Sequence, residues 1–591
     1  MGDTLTSPSG AVTGRRVIVF LGASVATLVF FLFLTPYILP ASVEKSIIET
    51  AFEKVLQRRV AISGDAAFTI LPTLKVSADN IVIPGGGKGE APVLMDIAVF
   101  SLEASTLSLL RNTISIHELT IDQPVLRLSR DDKGRSNWQG PDPQDDGSSK
   151  TGVVTPDYDW GWWRDLQIGT VRLTNGRFVI NSRMSSRQIK GEGANLEARV
   201  SNVTGSEDGV SIAGSVQVNG EPVKIRFDLG SVSRFLLGGR VPLIGNISAA
   251  PLSLRYQGVA AKRQYLVTEG LMSVDASELS RLGTWLGANF STETSGGLHW
   301  KARVIANGNR TAFQDMHLDV GESRLAGNAQ LNAATDGRTL EAHIQAENLN
   351  LTSLPGILPS VSWFEGLAGS VQLKWKKGSY RDLHFGDGAF SVDMAPKKHR
   401  LVIELSRMKL YGGRANGSVK IAKGEGMTSV DANFELMRVN SEELFGGLQG
   451  VSPLAGKANL SLDVFSVGSS RREILAALRG RGEFNITQGS LVSPDLAGHL
   501  RVADDQKLSF TQLIGSFSVE QGIVEGRDLL LKAPNLSLIG DGIIDLSQGF
   551  LDIHLQSLSR RMSDDGKKIP TVRPFRLRGP LAAYEIISEE G

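Results

Sequence analysis

The chain's 591 residues carry 63 Lys and Arg against 62 Asp and Glu, a formal net charge of +1, so no basic excess exists to draw nucleic acid. Cysteine is absent, which removes disulfides, thiolate metal sites and thiol nucleophiles. A prior of ~150 residues per domain would give about four domains, but the 65 glycines mostly separate apolar runs of strand length, which argues for one long β architecture.

Residues 1–14 read as a polar tail. Arg15-Arg16 then precede the uncharged, largely apolar stretch Val17–Leu34, close to the lower limit for a helix that crosses a bilayer. This stretch exceeds the usual apolar core of a signal peptide, and no Ala-x-Ala site follows it; a cleaved signal is the competing reading. Pro36 and Pro40 end the helix, because proline breaks its hydrogen-bond ladder. The positive-inside rule keeps Arg15-Arg16 in the cytoplasm and places the rest of the chain beyond the membrane. The anchor is therefore expected over 15–40, and no second stretch is apolar enough to span.

Val43, Ile47, Ile48, Phe52, Val55 and Leu56 recur at helical spacing and predict an amphipathic helix over 43–57. From Val60 onward the period becomes two. Ile114 and Ile116 alternate with Ser115 and His117; Leu460, Leu462 and Val464 with Asn459, Ser461 and Asp463; Leu551, Ile553 and Leu555 with Asp552, His554 and Gln556. Each run has one apolar and one polar face, as in a half-buried antiparallel strand. Asn175-Gly176, Asn219-Gly220 and Ser547-Gln548-Gly549 read as hairpin turns. The segment 141–156, PDPQDDGSSKTGVVTP, is a linker with little to bury. Short helices are expected at Asp275, with Glu278 three residues on, and at Ser470, with Glu473, both on a capping-box pattern; others lie near Leu354 and Leu444. Phe313–Leu318 echoes Tyr380–Phe385, and a Gly-led strand unit starts at Gly327, Gly417 and Gly540. Such degenerate recurrence predicts stacked rungs of one sheet.

Little here carries chemistry. His117-Glu118 lacks the second histidine of a zinc helix. His317 and His384 occupy matching places in the echoing segments, but no carboxylate pair accompanies them. Gly85–Gly89 lacks the phosphate-loop order, and Asp142, Asp145 and Asp146 lack the glutamate of a calcium loop, with Val153 in its place. Of the sequons, which include Asn202, Asn309 and Asn459, several fall in predicted strands, and they read as accidents of composition. Trp160, Trp162 and Trp163 fit core packing ahead of the strand at Ile168, or a membrane interface. The expectation is a binding protein, not an enzyme, with no cofactor and no metal.

FEKVLQRRVAISGDAAFTILPTLKV and LSLLRNTISIHELTIDQPVLRLSRDDKGRSNW, followed later by LRGRGEFNITQGSLVSPDLAG and FSVEQGIVEGRDLLLKAPNLSLIGDGIIDL, resemble the two ends of AsmA-like proteins of Gram-negative bacteria. The markers are an Ile-Ser-Gly turn, a Leu-Leu-Arg step, Asp122-x-Pro124-x-apolar-x-Leu128 and a closing Gly-x-x-Asn-Trp; the resemblance is weak from Ser182 to Lys374. It implies an inner-membrane anchor, a periplasmic body, a role in outer-membrane biogenesis and kinship with bridge-like lipid-transfer proteins. The expected fold is mainly β: an elongated, curved antiparallel sheet forming a groove, with a single N-terminal transmembrane helix and a few short amphipathic helices. If ~30 to 40 strands stack at ~4.8 Å, one groove would run roughly 150 to 190 Å. Expected regions are a tail (1–14), the anchor (15–40), an N-terminal AsmA-like β region (41–140), the linker (141–156), central groove repeats (157–465) and a C-terminal AsmA-like β region (466–591). Leu126, Leu128, Leu460, Leu462, Val464, Leu551, Ile553 and Leu555 are expected to line the groove. The expected partners are phospholipid or another membrane lipid, the inner membrane, and the outer membrane or one of its proteins; the competing reading is a scaffold for outer-membrane proteins.

Overall fold

The structure is a computed structural model. It describes residues 41–591 except 57, 86–92, 110–113, 131–136, 138–165, 183–187, 204–205, 287–295, 335–336, 353–366, 397–398, 425, 450–453, 493–499, 501–506, 535, 546–547, 563–567, 581–583 and 589–591. The predicted anchor, most of the Gly85–Gly89 turn, the linker with its three tryptophans and the helix near Leu354 lie outside the described residues. No described helix is long and apolar enough to cross a membrane. The chain divides into a first unit (residues 1–272 and 281–288) and a second (273–280 and 289–591).

The first unit opens with helix α1 (Ala41–Leu56), followed by strands β1 (Ala61–Ile62), β2 (Ala66–Thr69), β3 (Leu74–Pro84) and β4 (Val93–Ala104). After the one-turn α2 (Thr106–Leu109) come β5 (Ile114–Asp122), β6 (Val125–Arg130), β7 (Leu166–Ser182), β8 (Gln188–Val203), β9 (Ser206–Val218) and β10 (Glu221–Leu229). Helix α3 (Val232–Leu236) leads to β11 (Val241–Ser248), β12 (Ser253–Lys262) and β13 (Leu266–Ala276), and then α4 (Leu279–Leu286); the end of β13 and the start of α4, residues 273–280, count with the second unit.

Ile48 of α1 is buried against Ile62, Ala78 and Phe100, and Phe52 sets its ring edge-on to Phe100, centroids 4.9 Å apart. Glu49 Oε1 accepts the Ile62 N–H at 2.8 Å and Glu53 Oε1 the Val60 N–H at 3.2 Å, so the helix satisfies donors at the sheet's first edge. Only part of the predicted apolar stripe is used. Val43, Ile47 and Leu56 are exposed, while Glu44 is buried beside Ile48.

The second unit holds β14 (Leu298–Asn307), β15 (Arg310–Val320), β16 (Ser323–Ala334), β17 (Gly337–Asn350), β18 (Leu367–Tyr380), β19 (Leu383–Phe385), β20 (Gly388–Ala395), β21 (Arg400–Leu410), β22 (Gly413–Gly424) and β23 (Met427–Asn440). Then follow α5 (Ser441–Gln449), β24 (Leu454–Gly468), α6 (Arg471–Ala476), β25 (Arg479–Val492), β26 (Lys507–Glu520), β27 (Ile523–Lys532), β28 (Leu536–Asp545), β29 (Phe550–Met562), β30 (Lys568–Pro580) and β31 (Glu585–Ser588).

Within each unit most neighbours in sequence pair antiparallel, as the alternation requires. Among the described residues three pairings are parallel instead: β5–β7, β6–β7 and β17–β18. A parallel return needs a long connection, and the chain supplies one before β7, across residues 131–165, and another before β18, across 351–366. The sequence linker is thus part of the stretch that lets β7 run alongside β5 and β6.

Other expectations shift locally. Asn219-Gly220 is a hairpin turn, with φ of 47° and 84° and Val218 facing Glu221. Asn175 also has positive φ, 53°, yet lies inside β7 at a bulge between Leu173 and Gly176. Asp275 does not open a helix; it lies in β13 with His299 Nδ1 at 2.9 Å, and α4 begins at Leu279. Ser470 and Glu473 do cap α6: Ser470 Oγ accepts the Glu473 N–H at 3.3 Å and Glu473 Oε2 accepts the Ser469 N–H at 2.9 Å. The echoing segments are not equivalent, since Phe313–Leu318 lies within β15 whereas Tyr380–Phe385 spans the turn between β18 and β19.

Candidate functional site

Because side chains alternate across a strand, directly opposed residues on successive strands share one face. In the second unit Leu462 faces Phe434 on one side and Gly482 on the other. From Gly482 the row continues through Phe517, Gly526 and Gly542 to Ile553, then Leu577 and Ile586. In the other direction it passes from Phe434 through Gly417, Leu405, Phe390, Leu373, Ile344 and Gly327 to Met316. Every strand from β15 to β31 except the short β19 contributes, and every member is apolar or glycine. At ~4.8 Å per strand the row is roughly 70 Å long, measured along the sheet.

Two further rows flank it. Val464 belongs to one that runs from Val304 and Phe313 through Val371 and Ile403 to Ile544 and Leu551. Leu460 belongs to the other, between Leu436 and Phe484, with Trp375, Gly388 and Met408 further along. The opposite face is polar: Asn433, Asp463, Arg481, Ser518 and Glu525 oppose one another in turn, followed by Ile543, Asp552 and Arg578.

Leu460, Leu462 and Val464 are half-buried, and Phe434 is 40% exposed. Towards the C-terminus the same face is more enclosed. Leu551 and Leu555 are buried and Ile553 is half-buried; Leu555 packs with Phe575, Leu538 and Leu531 in the unit's largest described core cluster. The expected lining residues therefore divide: Leu551 and Leu555 of β29 are buried in packed surroundings, while Ile553 and Leu460, Leu462 and Val464 of β24 are half-buried. In the first unit Leu126 faces Met95 and Phe178, and Leu128 faces Ile180, all half-buried where described. That unit has its own apolar row, from Phe68 through Leu102, Leu119, Val171 and Ile212 to Phe227, Gly245 and Tyr256.

The bulges that bend these strands share a device that periodicity does not reveal. Asn195 Oδ1 accepts the Asn175 N–H at 3.0 Å, Asn328 Oδ1 the Asp315 N–H at 3.0 Å, and Asn459 Oδ1 the Arg438 N–H at 2.9 Å. Each recipient has positive φ, so an amide on the next strand replaces the ladder bond that the bulge breaks. Asn459, read as an accidental sequon, has this structural role. Asn137 of the Gly-x-x-Asn-Trp motif is likewise explained. It is buried, its side chain accepts the Ser129 N–H at 2.9 Å and donates to the Arg127 carbonyl at 2.7 Å, and so it covers the β6 edge.

The polar face carries ion pairs between strands. Arg172 of β7 bridges Glu118 of β5 and Glu197 of β8. Asp552 holds Arg576 through both carboxylate oxygens, with Arg578 at 3.6 Å and His554 at 3.9 Å. The Arg576 guanidinium keeps the Asp552 carboxyl below the usual carboxylate range. A depressed pKa adds stability that is present above the unfolded value, near ~4, and is lost as pH falls through the folded value. We expect Asp552→Asn to cost about 1–3 kcal/mol at pH 7 and to flatten the loss of stability below about pH 4, as urea unfolding at several pH values would measure. An acid response equal to wild type would refute this. The polar-face position does not make Asp552 replaceable: a lysine there would set a third positive charge beside Arg576 and Arg578 in place of the carboxylate that both face.

His317 and His384 are exposed, and no cluster of metal-ligating side chains occurs among the described residues. Each unit thus presents strands with one apolar and one polar face. A family model for the AsmA family matches residues 15–268 and 364–529, more than half of the sequence. The chain belongs to the AsmA family. The match runs past Ser182, where the resemblance looked weak, and leaves 269–363 and 530–591 uncovered. Comparison with curated proteins finds no match.

Proposed function

We propose that this protein binds lipid, phospholipid first, along the apolar face and conducts it between membranes in outer-membrane biogenesis. One observation carries the reading: rows of apolar side chains continue unbroken from strand to strand while remaining half-exposed around Leu462. A face meant only as a core would be covered throughout. A soluble protein rarely leaves so large an apolar surface without an occupant, and an acyl chain is an occupant that needs no hydrogen-bond partner. The protein acts here as a binder rather than a catalyst. Val17–Leu34 holds it in the inner membrane, and the exposed Val43 and Ile47 of α1 suit the adjoining interface.

Purification of the full chain in mild detergent, followed by native mass spectrometry, should find bound phospholipid; an empty protein under conditions that preserve the fold would refute the reading. The topology carries its own expected result. A reporter fused after Gly591 should be active in the periplasm only, and activity in the cytoplasm would overturn both orientation and function.

A further inference from the structure

On the apolar faces of both units, aromatic residues repeatedly stand opposite glycines. Phe517 faces Gly482, Phe434 faces Gly417, Trp375 faces Gly388, Phe178 faces Gly191 and Phe227 faces Gly245. In each pair the ring lies over the glycine. A Cβ at Gly482 would stand 2.3 Å from the Phe517 ring, at Gly388 2.1 Å from Trp375 and at Gly191 2.0 Å from Phe178; at Gly417 it would stand 2.7 Å from Phe434 and nearer still, 2.5 Å, to the Asn433 carbonyl oxygen. None of these contacts is tolerable, and at Gly482 and Gly191 the three nearest atoms all belong to the ring, so a methyl group there must push the ring away from the sheet.

Backbone freedom does not explain these glycines, because none of the five has positive φ. Their common property is the space they leave. A phenyl group perpendicular to a sheet projects several ångströms into whatever lies above it, whereas one lying across a neighbouring glycine adds little more than a ring thickness. We propose that these glycines are specificity-determining residues of the lipid-binding face: by seating the rings flat, they set the depth of the face and hence the thickness of hydrocarbon it accepts. This inference rests on the lipid reading above and adds which residues limit occupancy. It assigns the aromatics the floor of the site rather than the role of plugs.

The test uses the full-length protein, incubated with vesicles of phosphatidylethanolamine and phosphatidylglycerol and analysed by native mass spectrometry, with thermal unfolding recorded on the same samples. Gly482→Ala and Gly191→Ala should each lower bound phospholipid several-fold. Adding Phe517→Ala to Gly482→Ala should restore it, since the displaced ring is then gone. Gly424→Ala, where a Cβ would meet nothing within 4 Å, should load as wild type does. A merely structural role would lower the unfolding temperature without ring-dependent recovery of loading. Equal loading of wild type and both glycine variants, or failure of the double variant to recover while folded, overturns the inference and leaves the lipid reading intact. An empty wild type overturns both.

Discussion

Leu462→Glu should empty the protein of phospholipid while leaving it folded. Leu462 is half-buried, lies in the middle of the apolar row from Met316 to Ile586 and has Phe434 and Gly482 as direct cross-strand neighbours. A carboxylate there has solvent within reach in the free protein, so folding tolerates it. An acyl chain laid over it would strip that water, at a cost on the order of 3 kcal/mol, or roughly a hundredfold in occupancy. Asp463→Lys, one residue along on the exposed polar face, should load normally. A photo-crosslinker at Leu462 should capture phospholipid and one at Asp463 should not. Equal capture from the two faces, or capture of protein alone, would refute the lipid reading and favour a scaffold for outer-membrane proteins. Ile553→Glu is a less clean test, because Ile553 leans on the enclosed cluster around Leu555 and a charge there also threatens folding.

The alternation that predicted the two faces was legible because it is local. Any strand with apolar residues at every second position declares its own faces, and Leu460–Val464 and Leu551–Leu555 did so. The sequence did not disclose how the rows join. Leu462 and Ile553 lie in one row only because the registers of β24 through β29 bring Gly482, Phe517, Gly526 and Gly542 between them. Register depends on turn geometry and bulges, and bulges were misread for the same reason that Asn175-Gly176 looked like a hairpin: a positive-φ asparagine suits either. Parallel returns were equally hidden, since a linker of low complexity says nothing about where the chain re-enters the sheet. Charge partners were hidden most of all. Alternation shows only which face Asp552 occupies; register places Arg578 opposite it, and Arg576 holds its carboxylate.

Phe575→Ala and Phe434→Ala should separate a dry core from an open face. Both are aromatic residues on the apolar side of the same unit. Phe575 is fully buried, facing Leu555 and Ser588 and packed with Leu538 and Leu531, whereas Phe434 is 40% exposed. Removing a buried phenyl group leaves a cavity and costs about 3–5 kcal/mol. Because β30 and β31 are the last described strands, this loss should appear as release of the C-terminal hairpins, with new proteolytic cleavage in β28–β31 and a lower urea midpoint. Lipid bound per folded molecule should stay near wild type. Phe434→Ala should do the reverse, costing about 1 kcal/mol or less while changing the amount of lipid bound. If Phe575→Ala were nearly silent in stability and strongly affected loading, the C-terminal cluster would be part of the lipid path. The half-exposed region around Leu462 would then no longer be the distinguishing part of the site.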